Sequence, residues 1–315
     1  MFGKILGGIG KALIIAGVLV LGFAGYQLWG TSLSQATAQK ELTKTLAGES
    51  AGESAKEPDG NSQVNRIIED FSSVDSATAP PTAPPPEGDP VGIIAIPKID
   101  LQRVIVEGVA KADLKKGPGH YPGTPLPGQA GNSAIAGHRT TYGAPFNRID
   151  ELVPGDEIVI ATPQGQFTYL VIPAPGEPTQ AWYTVTPAQV EVLANMGDNR
   201  ITLTACHPKY SAKQRIIVHA VLKSPPAAAL AVVTPPADST SSPEPAVKFD
   251  GGQAGEPQAL TTALLFAAAA AAVALLAYLL GKYLRRWPLY VLATPIILVL
   301  IWYGYVYMDR YLPAL

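Results

Sequence analysis

A chain of 315 residues with a formal net charge of −2 is long enough for one sizeable domain plus further segments. It lacks the basic excess expected of a nucleic-acid binder. Its single cysteine excludes an intramolecular disulfide and a cysteine-built zinc site. The hydrophobic content of 47% is concentrated in three apolar runs that bracket a more ordinary middle.

The first run, ALIIAGVLVLGFAGYQLW, follows Lys4 and Lys11. About 20 apolar residues cross a bilayer, so residues 12–30 are expected to form a transmembrane helix behind a cytoplasmic stretch, 1–11. The run is longer than a signal-peptide core and no A-x-A site follows it at once. That favours an uncleaved anchor, with SQATAQ keeping a cleavage alternative open. Residues 31–90 read as a linker. Up to residue 78 they are polar with little periodicity, and TAPPTAPPPEGDP then forms an extended, semi-rigid spacer.

Residues 91–223 are β in pattern. VGIIAIPKI, RVIVEGV, NSAIAG, DEIVIATP, QFTYLVI, RITLTAC and QRIIVHAVL are short β-branched runs separated by Gly, Pro, Asn and Asp, as in an all-β barrel or sandwich. IVIATPQGQFTYLVI predicts a hairpin around Pro163-Gln164-Gly165, and TPAQVEVLANM predicts a helix capped by Thr186 with Pro187 in its first turn.

A second Pro/Ala-rich linker, 224–259, leads to two more expected spans, 260–280 and 289–307, with a tail at 308–315. The loop between them, 281–288, carries Lys282, Arg285 and Arg286; the positive-inside rule places it and Lys4/Lys11 in the cytoplasm, and the β-rich middle and the tail outside. Trp287, Tyr290, Trp302 and Tyr303 fit interfacial anchoring of the last span.

Cys206 ends the run RITLTAC. A lone cysteine is often a small buried apolar residue. Two features favour a nucleophile instead. His207-Pro208 stops the strand at an exposed rim, and Arg215 opens the returning strand. A cation beside a thiol favours the thiolate and can stabilise an oxyanion. Such a nucleophile needs a proton-transfer partner. His138 follows a short strand and a glycine and opens a polar loop, so it ranks ahead of the others. His207, next in chain to Cys206, faces the other way on a strand; His120 reads as a loop residue with structural hydrogen bonds, and His219 as a satisfied mid-strand histidine.

VGIIAIPKIDL, GPGHYPGTPLPG, GNSAIAGHRT and TLTACHPKYSAKQRIIV, in that order, resemble a sortase across residues 91–223. The resemblance implies an all-β, sortase-type eight-stranded β-barrel with short helices, flanked by transmembrane helices. It implies His138, Cys206 and Arg215 as the catalytic trio of a cysteine transpeptidase. Such an enzyme cleaves a sorting signal between Thr and Gly and joins the Thr to an amine through a thioacyl intermediate. No cofactor or metal is implied, since no acidic cluster here resembles the calcium site of some members. The implied partners are surface proteins with C-terminal LAXTG/LPXTG-type signals, a peptidoglycan amine and membrane lipid, with no nucleic acid, on the extracellular face of a Gram-positive bacterium.

HRTTYGAPFNRIDEL further resembles the class E group, in which a Tyr shortly after the histidine accompanies preference for LAXTG. Tyr142 would take that role, and Thr204 and Ala205 would flank the substrate groove. TLTAC has Ala where many members have Thr. The two C-terminal spans are the larger departure and keep a class C-like pilin polymerase as the alternative, although Asp89-Pro90 runs into the first strand and does not resemble a class C lid. A membrane-tethered β-scaffold is the non-enzymatic alternative. An L,D-transpeptidase is disfavoured, because TLTACHP lacks the S-x-G-C-x-R neighbourhood.

Overall fold

Strand β1 (Pro90–Ile96) and strand β2 (Leu101–Glu107) are β-branched runs joined by a 3-10 turn, Pro97–Ile99, closed by Asp100 in the left-handed region at φ 55°. They pair antiparallel, with Ile93 opposite Val104. In the computed structural model, which describes residues 2–48, 60–230, 256–283 and 286–312, two compact units separate: one of apolar helices, and one holding the strands.

The remaining strands are β3 (Gly119–His120), β4 (Asn132–Ala136), β5 (Glu157–Thr162), β6 (Gly165–Val171), β7 (Trp182–Val185), β8 (Arg200–His207) and β9 (Gln214–Leu222). The sheet order is β6-β5-β1-β2-β3-β4-β8-β9-β7, and pairing of β6 with β9 closes it into a barrel. Strand β3 contributes only two residues, so the architecture is the expected eight-stranded barrel with a short bridge between β2 and β4. Full closure leaves few open strand edges. Ile94, Ile105, Ile135, Phe146, Phe167, Leu203 and Val218 fill the interior. The β5–β6 hairpin turns at Pro163-Gln164, with Thr162 opposite Gly165, as its sequence predicts.

Residues 31–90 are not simply a linker. Helix α2 (Thr31–Ala47) and helix α3 (Gly60–Ser72) lie against the barrel, while residues 49–59 fall outside the described set. Periodicity missed α2 because its inward stripe is polar: Thr31, Gln35 and Thr43 are buried. Gln39, on the same stripe, donates to Val104 O (3.0 Å) and Lys116 O (2.9 Å) and accepts from Val104 N–H (2.9 Å). Its amide thus takes the place of a neighbouring strand at the open edge of β2. Further along, Leu42 joins Ile67 of α3 over Ile93, Val104 and Val106.

The helix expected over residues 186–196 is only a 3-10 turn, Val190–Leu193. The carbonyls of Val192 and Ala194 accept from the Asn132 side chain (3.2 and 2.9 Å), and Gln189 Oε1 takes the Thr186 N–H (2.7 Å). Side chains thereby satisfy backbone groups locally and from β4, in competition with helix formation.

Both ends of the barrel sequence are strapped down. Gln164 Nε2 donates to Pro80 O (2.9 Å) and Ala228 O (2.8 Å), and Gln129 Nε2 to Thr82 O (3.2 Å) and Gln164 Oε1 (2.9 Å). Isolated parallel bridges join Thr82 to Ala229 and Gln129 to Ala227. The expected linker at 224–259 therefore begins as an ordered strap, and its residues 231–255 lie outside the described set.

The second unit holds α1 (Phe2–Gly25), α4 (Pro257–Leu280) and α5 (Arg286–Tyr311). Three helices are long and apolar enough to cross a membrane: Leu13–Ala47, Pro257–Leu280 and Trp287–Tyr311. Ala259, Ala263, Ala270 and Ala277 form the buried stripe of α4, the small residues that let two helix backbones approach. Tyr305 donates its hydroxyl to Leu19 O at 2.8 Å, across a gap that a side chain at Gly22 would close. Of the expected basic loop, residues 284–285 lie outside the described set, as do 313–315 of the tail.

Candidate active site

Alternation along β8 sorts its side chains onto two faces. Ile201, Leu203 and Ala205 belong to the barrel interior. Thr202, Thr204 and Cys206 alternate with them and face the opposite side. There lie Ala134, Ala136, Tyr121 and Ile217, a second apolar cluster. Cys206 is 9% exposed, at the last turn of the strand before the cis His207–Pro208 peptide.

Register brings the expected trio to one end of this face. Cys206 pairs directly with Arg215 across β8 and β9. On its other side β8 runs parallel to β4, with Ala136 opposite Thr204, and Gly137 N–H extends the ladder by donating to Thr204 O at 3.0 Å. Two residues beyond that pair come His138 and Cys206. Cys206 and Arg215 thus stand side by side on β8 and β9, while His138 lies two residues past the end of β4, in the loop at the same end of the barrel; all three are nearly buried. Arg215 Nη1 is braced by Ala212 O (2.9 Å) and Gln214 O (3.2 Å) from the loop it closes.

Tyr142 reaches the same place. Its ring lies 5.2 Å from that of His138, with Lys115 Nζ over it at 5.1 Å. It is buried because Thr31 of α2 sits above it and accepts its N–H at 3.2 Å. Tyr142, Gly143 and Ala144 take φ values of 50°, 70° and 42°. Two non-glycine residues in the left-handed region store about 1–2 kcal/mol each, so the loop after His138 is held in shape by its packing.

Thr204 and Ala205 do not share a role. Thr204 lies on the Cys206 face with its hydroxyl 3.2 Å from that of Tyr121, whereas the Ala205 side chain points into the barrel. Only the backbone of Ala205 is available to a groove on that face.

Of the other histidines, His120 is a buried strand residue, its Nδ1 2.7 Å from Glu107 and its Nε2 2.9 Å from Pro125 O. His219 is also buried. Thr202 donates its hydroxyl to Asn132 Oδ1 (2.7 Å), so it accepts from His219 Nδ1 (2.9 Å); Nε2 then accepts from the Tyr183 hydroxyl (2.8 Å). Burial, and then Arg200, pushes the His219 pKa down to about 4.

One cluster beside the trio was not foreseen. Arg139, only 2% exposed, directs Nη1 to His207 Nδ1 (2.7 Å) and Nη2 to Asp150 (2.8 Å). Asn147 holds the Arg139 carbonyl at 2.8 Å and accepts from Lys209 at 3.2 Å. The signal lay in AGHR and ACHP, where each residue of interest is followed by a second polar one. Among the described residues no three His, Cys, Asp or Glu side chains come together in a group able to hold a metal ion.

The sortase domain family matches residues 94–223. The chain is 33% identical over 225 residues to sortase SrtE1 of Streptomyces coelicolor, covering 67% of this chain and 55% of that protein. It thus spans little more than half the length of that relative. It is 32% identical over 160 residues to sortase D of Bacillus subtilis, covering 51% of this chain and 72% of that one. Among solved structures, SrtF from Corynebacterium diphtheriae aligns at 32% identity over 47% of this chain and 91% of that chain, with a TM-score of 0.43. Sortase E from Streptomyces avermitilis aligns at 37% identity over 44% and 90%, with a TM-score of 0.38.

Proposed function

Because the chain belongs to the sortase family of cysteine transpeptidases, we propose that it cleaves an LAXTG/LPXTG-type sorting signal between Thr and Gly and joins the Thr to a cell-wall amine through a Cys206 thioacyl intermediate. The observation that supports this reading is the register: Cys206 lies directly opposite Arg215, and the Ala136–Thr204 pair leads the His138 loop to the same end of the barrel. An uninvolved cysteine has no need of a guanidinium on the next strand and an imidazole in the loop at the same end of the barrel.

In this reading the Cys206 thiolate attacks the Thr carbonyl, and Arg215 stabilises the oxyanion or holds the substrate backbone. His138, protonated, gives its proton to the departing Gly amine, leaving a thioester on Cys206. Neutral His138 then takes a proton from the incoming amine, which displaces the thiolate and restores the starting state. Tyr142 reads the second position of the signal with its hydroxyl, as in class E enzymes. Because Thr31 and Gln35 of α2 are buried in the same region, that contact requires the first turn of α2 to lift when the peptide enters. The three apolar helices anchor the protein, with the basic loop and N-terminus inside and the barrel on the outer face.

The test uses the full chain in nanodiscs and matched quenched peptides containing LAETG or LPETG. Wild-type protein should cleave LAETG faster, and Cys206→Ala and His138→Ala should each lower turnover by about a thousandfold or more. Turnover surviving in Cys206→Ala refutes the reading, while preference for LPETG removes the role given to Tyr142.

A further inference from the structure

The two residues on which turnover depends sit on separate segments. Cys206 is on β8, whereas His138 begins a long loop between β4 and the 3-10 turn Ile149–Glu151. The β4–β8 ladder ends at Gly137. Past that point the two segments are joined by side chains as well: Arg139 reaches His207, and Asn147 reaches Lys209. We propose that Arg139 is a positioning residue of the reaction: its guanidinium, held from behind by Asp150, latches the His138 loop to the Cys206 strand through Nδ1 of His207.

Four observations carry this. Arg139 is among the largest fully buried side chains in the protein, an expensive place for a cation unless its geometry serves a purpose. Its two contacts, to His207 and Asp150, span the two segments. Each partner is adjacent to something that must be placed: Arg139 follows His138, and His207 follows Cys206. Asn147 and Lys209 repeat the same join in parallel, since Asn147 takes the Arg139 carbonyl and accepts from Lys209, two residues beyond His207.

The latch sets the state of His207. A guanidinium only donates, so Nδ1 must accept and the ring must be neutral with its proton on Nε2. Burial, then the Arg139 charge, hold the His207 pKa below its usual value, with Asp150 opposing them. Trp182 of β7 lies against the ring, 5.9 Å between centroids, and fixes its plane. Small displacements matter here, because misplacing a reacting group by about 1 Å can cost a hundredfold in rate.

The inference rests on the proposed pairing of His138 with Cys206. One experiment separates the two. The chain has a single cysteine, so alkylation by iodoacetamide, followed by intact mass across about pH 5 to 9, reports Cys206 without a substrate. It is run on the full chain in nanodiscs, with melting temperature recorded for every variant. His138→Ala should move the alkylation midpoint upward by about half a unit or more, because the thiolate loses its imidazolium neighbour. His207→Leu, which takes the acceptor from a buried guanidinium N–H, should move it in the same direction and lower the melting temperature, so the profiles are compared at a temperature where every variant is folded. His207→Asn, whose side-chain oxygen stands near the place of Nδ1, should restore the wild-type profile, and His207→Leu should add nothing to Arg139→Lys. If His138→Ala leaves the midpoint unmoved, the pairing fails and the latch with it. If His138→Ala moves it but His207→Leu does not, or His207→Asn behaves like His207→Leu, the latch alone is overturned.

Discussion

Acid should weaken the barrel through His219, and the size of the effect follows from its surroundings. The ring is buried between Thr202 and Tyr183, and its pKa of 6.5 in an unfolded chain falls to about 4 in the fold. The group is neutral when folded, so the unfolded chain binds the extra proton. Its contribution is fully present above pH 6.5, shrinks as pH falls below that value, and is exhausted below about pH 4. The whole shift corresponds to about 3 kcal/mol, of which about 2 kcal/mol is lost between pH 7.5 and 5. Urea unfolding of the segment 30–230 at these two pH values measures the loss. His219→Gln cannot take up a proton and should remove most of that difference, whatever it does to stability at neutral pH. The comparison cancels His207, which remains in both proteins. A variant that loses as much stability as the parent between the two pH values would show that His219 is not held neutral by its site.

Other outcomes are expected from single contacts. Gln39→Ala leaves Val104 N–H and C=O without the amide that pairs them. It should cost about 1–3 kcal/mol in the same urea assay and speed hydrogen exchange in β2 more than in β8. Gly119→Ala would drive a Cβ against the backbone carbonyl of Gly108 and the Leu114 side chain. Since a backbone carbonyl cannot swing aside, a loss of about 2–3 kcal/mol is expected, seen as a lowered melting temperature with the alkylation profile of Cys206 preserved.

What the chain shows of its own fold depends on which groups do the pairing. The strands were legible because β-branched residues alternate along them, and the β5–β6 hairpin because Pro-Gln-Gly marks its turn. Strand β3 was not, since two residues carry no period. Nor was α2, where the inward positions are Thr31, Gln35, Gln39 and Thr43, which a hydrophobic template scores as solvent-facing. The failed helix at 186–196 is the reverse case: Pro187 and Thr186 supply a good start, but Asn132, more than fifty residues away, takes the carbonyls. At the site, the order of motifs pointed to His138, Cys206 and Arg215; pairing sets Cys206 opposite Arg215, and β4, parallel to β8, ends two residues before His138. Arg139 escaped notice because a charged residue after a histidine reads as a solvated loop, and only tertiary packing buries it.

The strap formed by Pro80, Thr82 and Ala227–Ala229 has a mechanical side. The two bridged segments run parallel, so tension entering by the N-terminal strap and resisted by the C-terminal one pulls them in opposite directions along their length. The bonds through Gln129 and Gln164 are then loaded together rather than one at a time. A force between the two straps can close its circuit at this clamp, on the β5–β6 hairpin and the loop before β4, without crossing β8. Load passed between the segments before and after the barrel is in this way kept out of β8, the strand that carries Cys206.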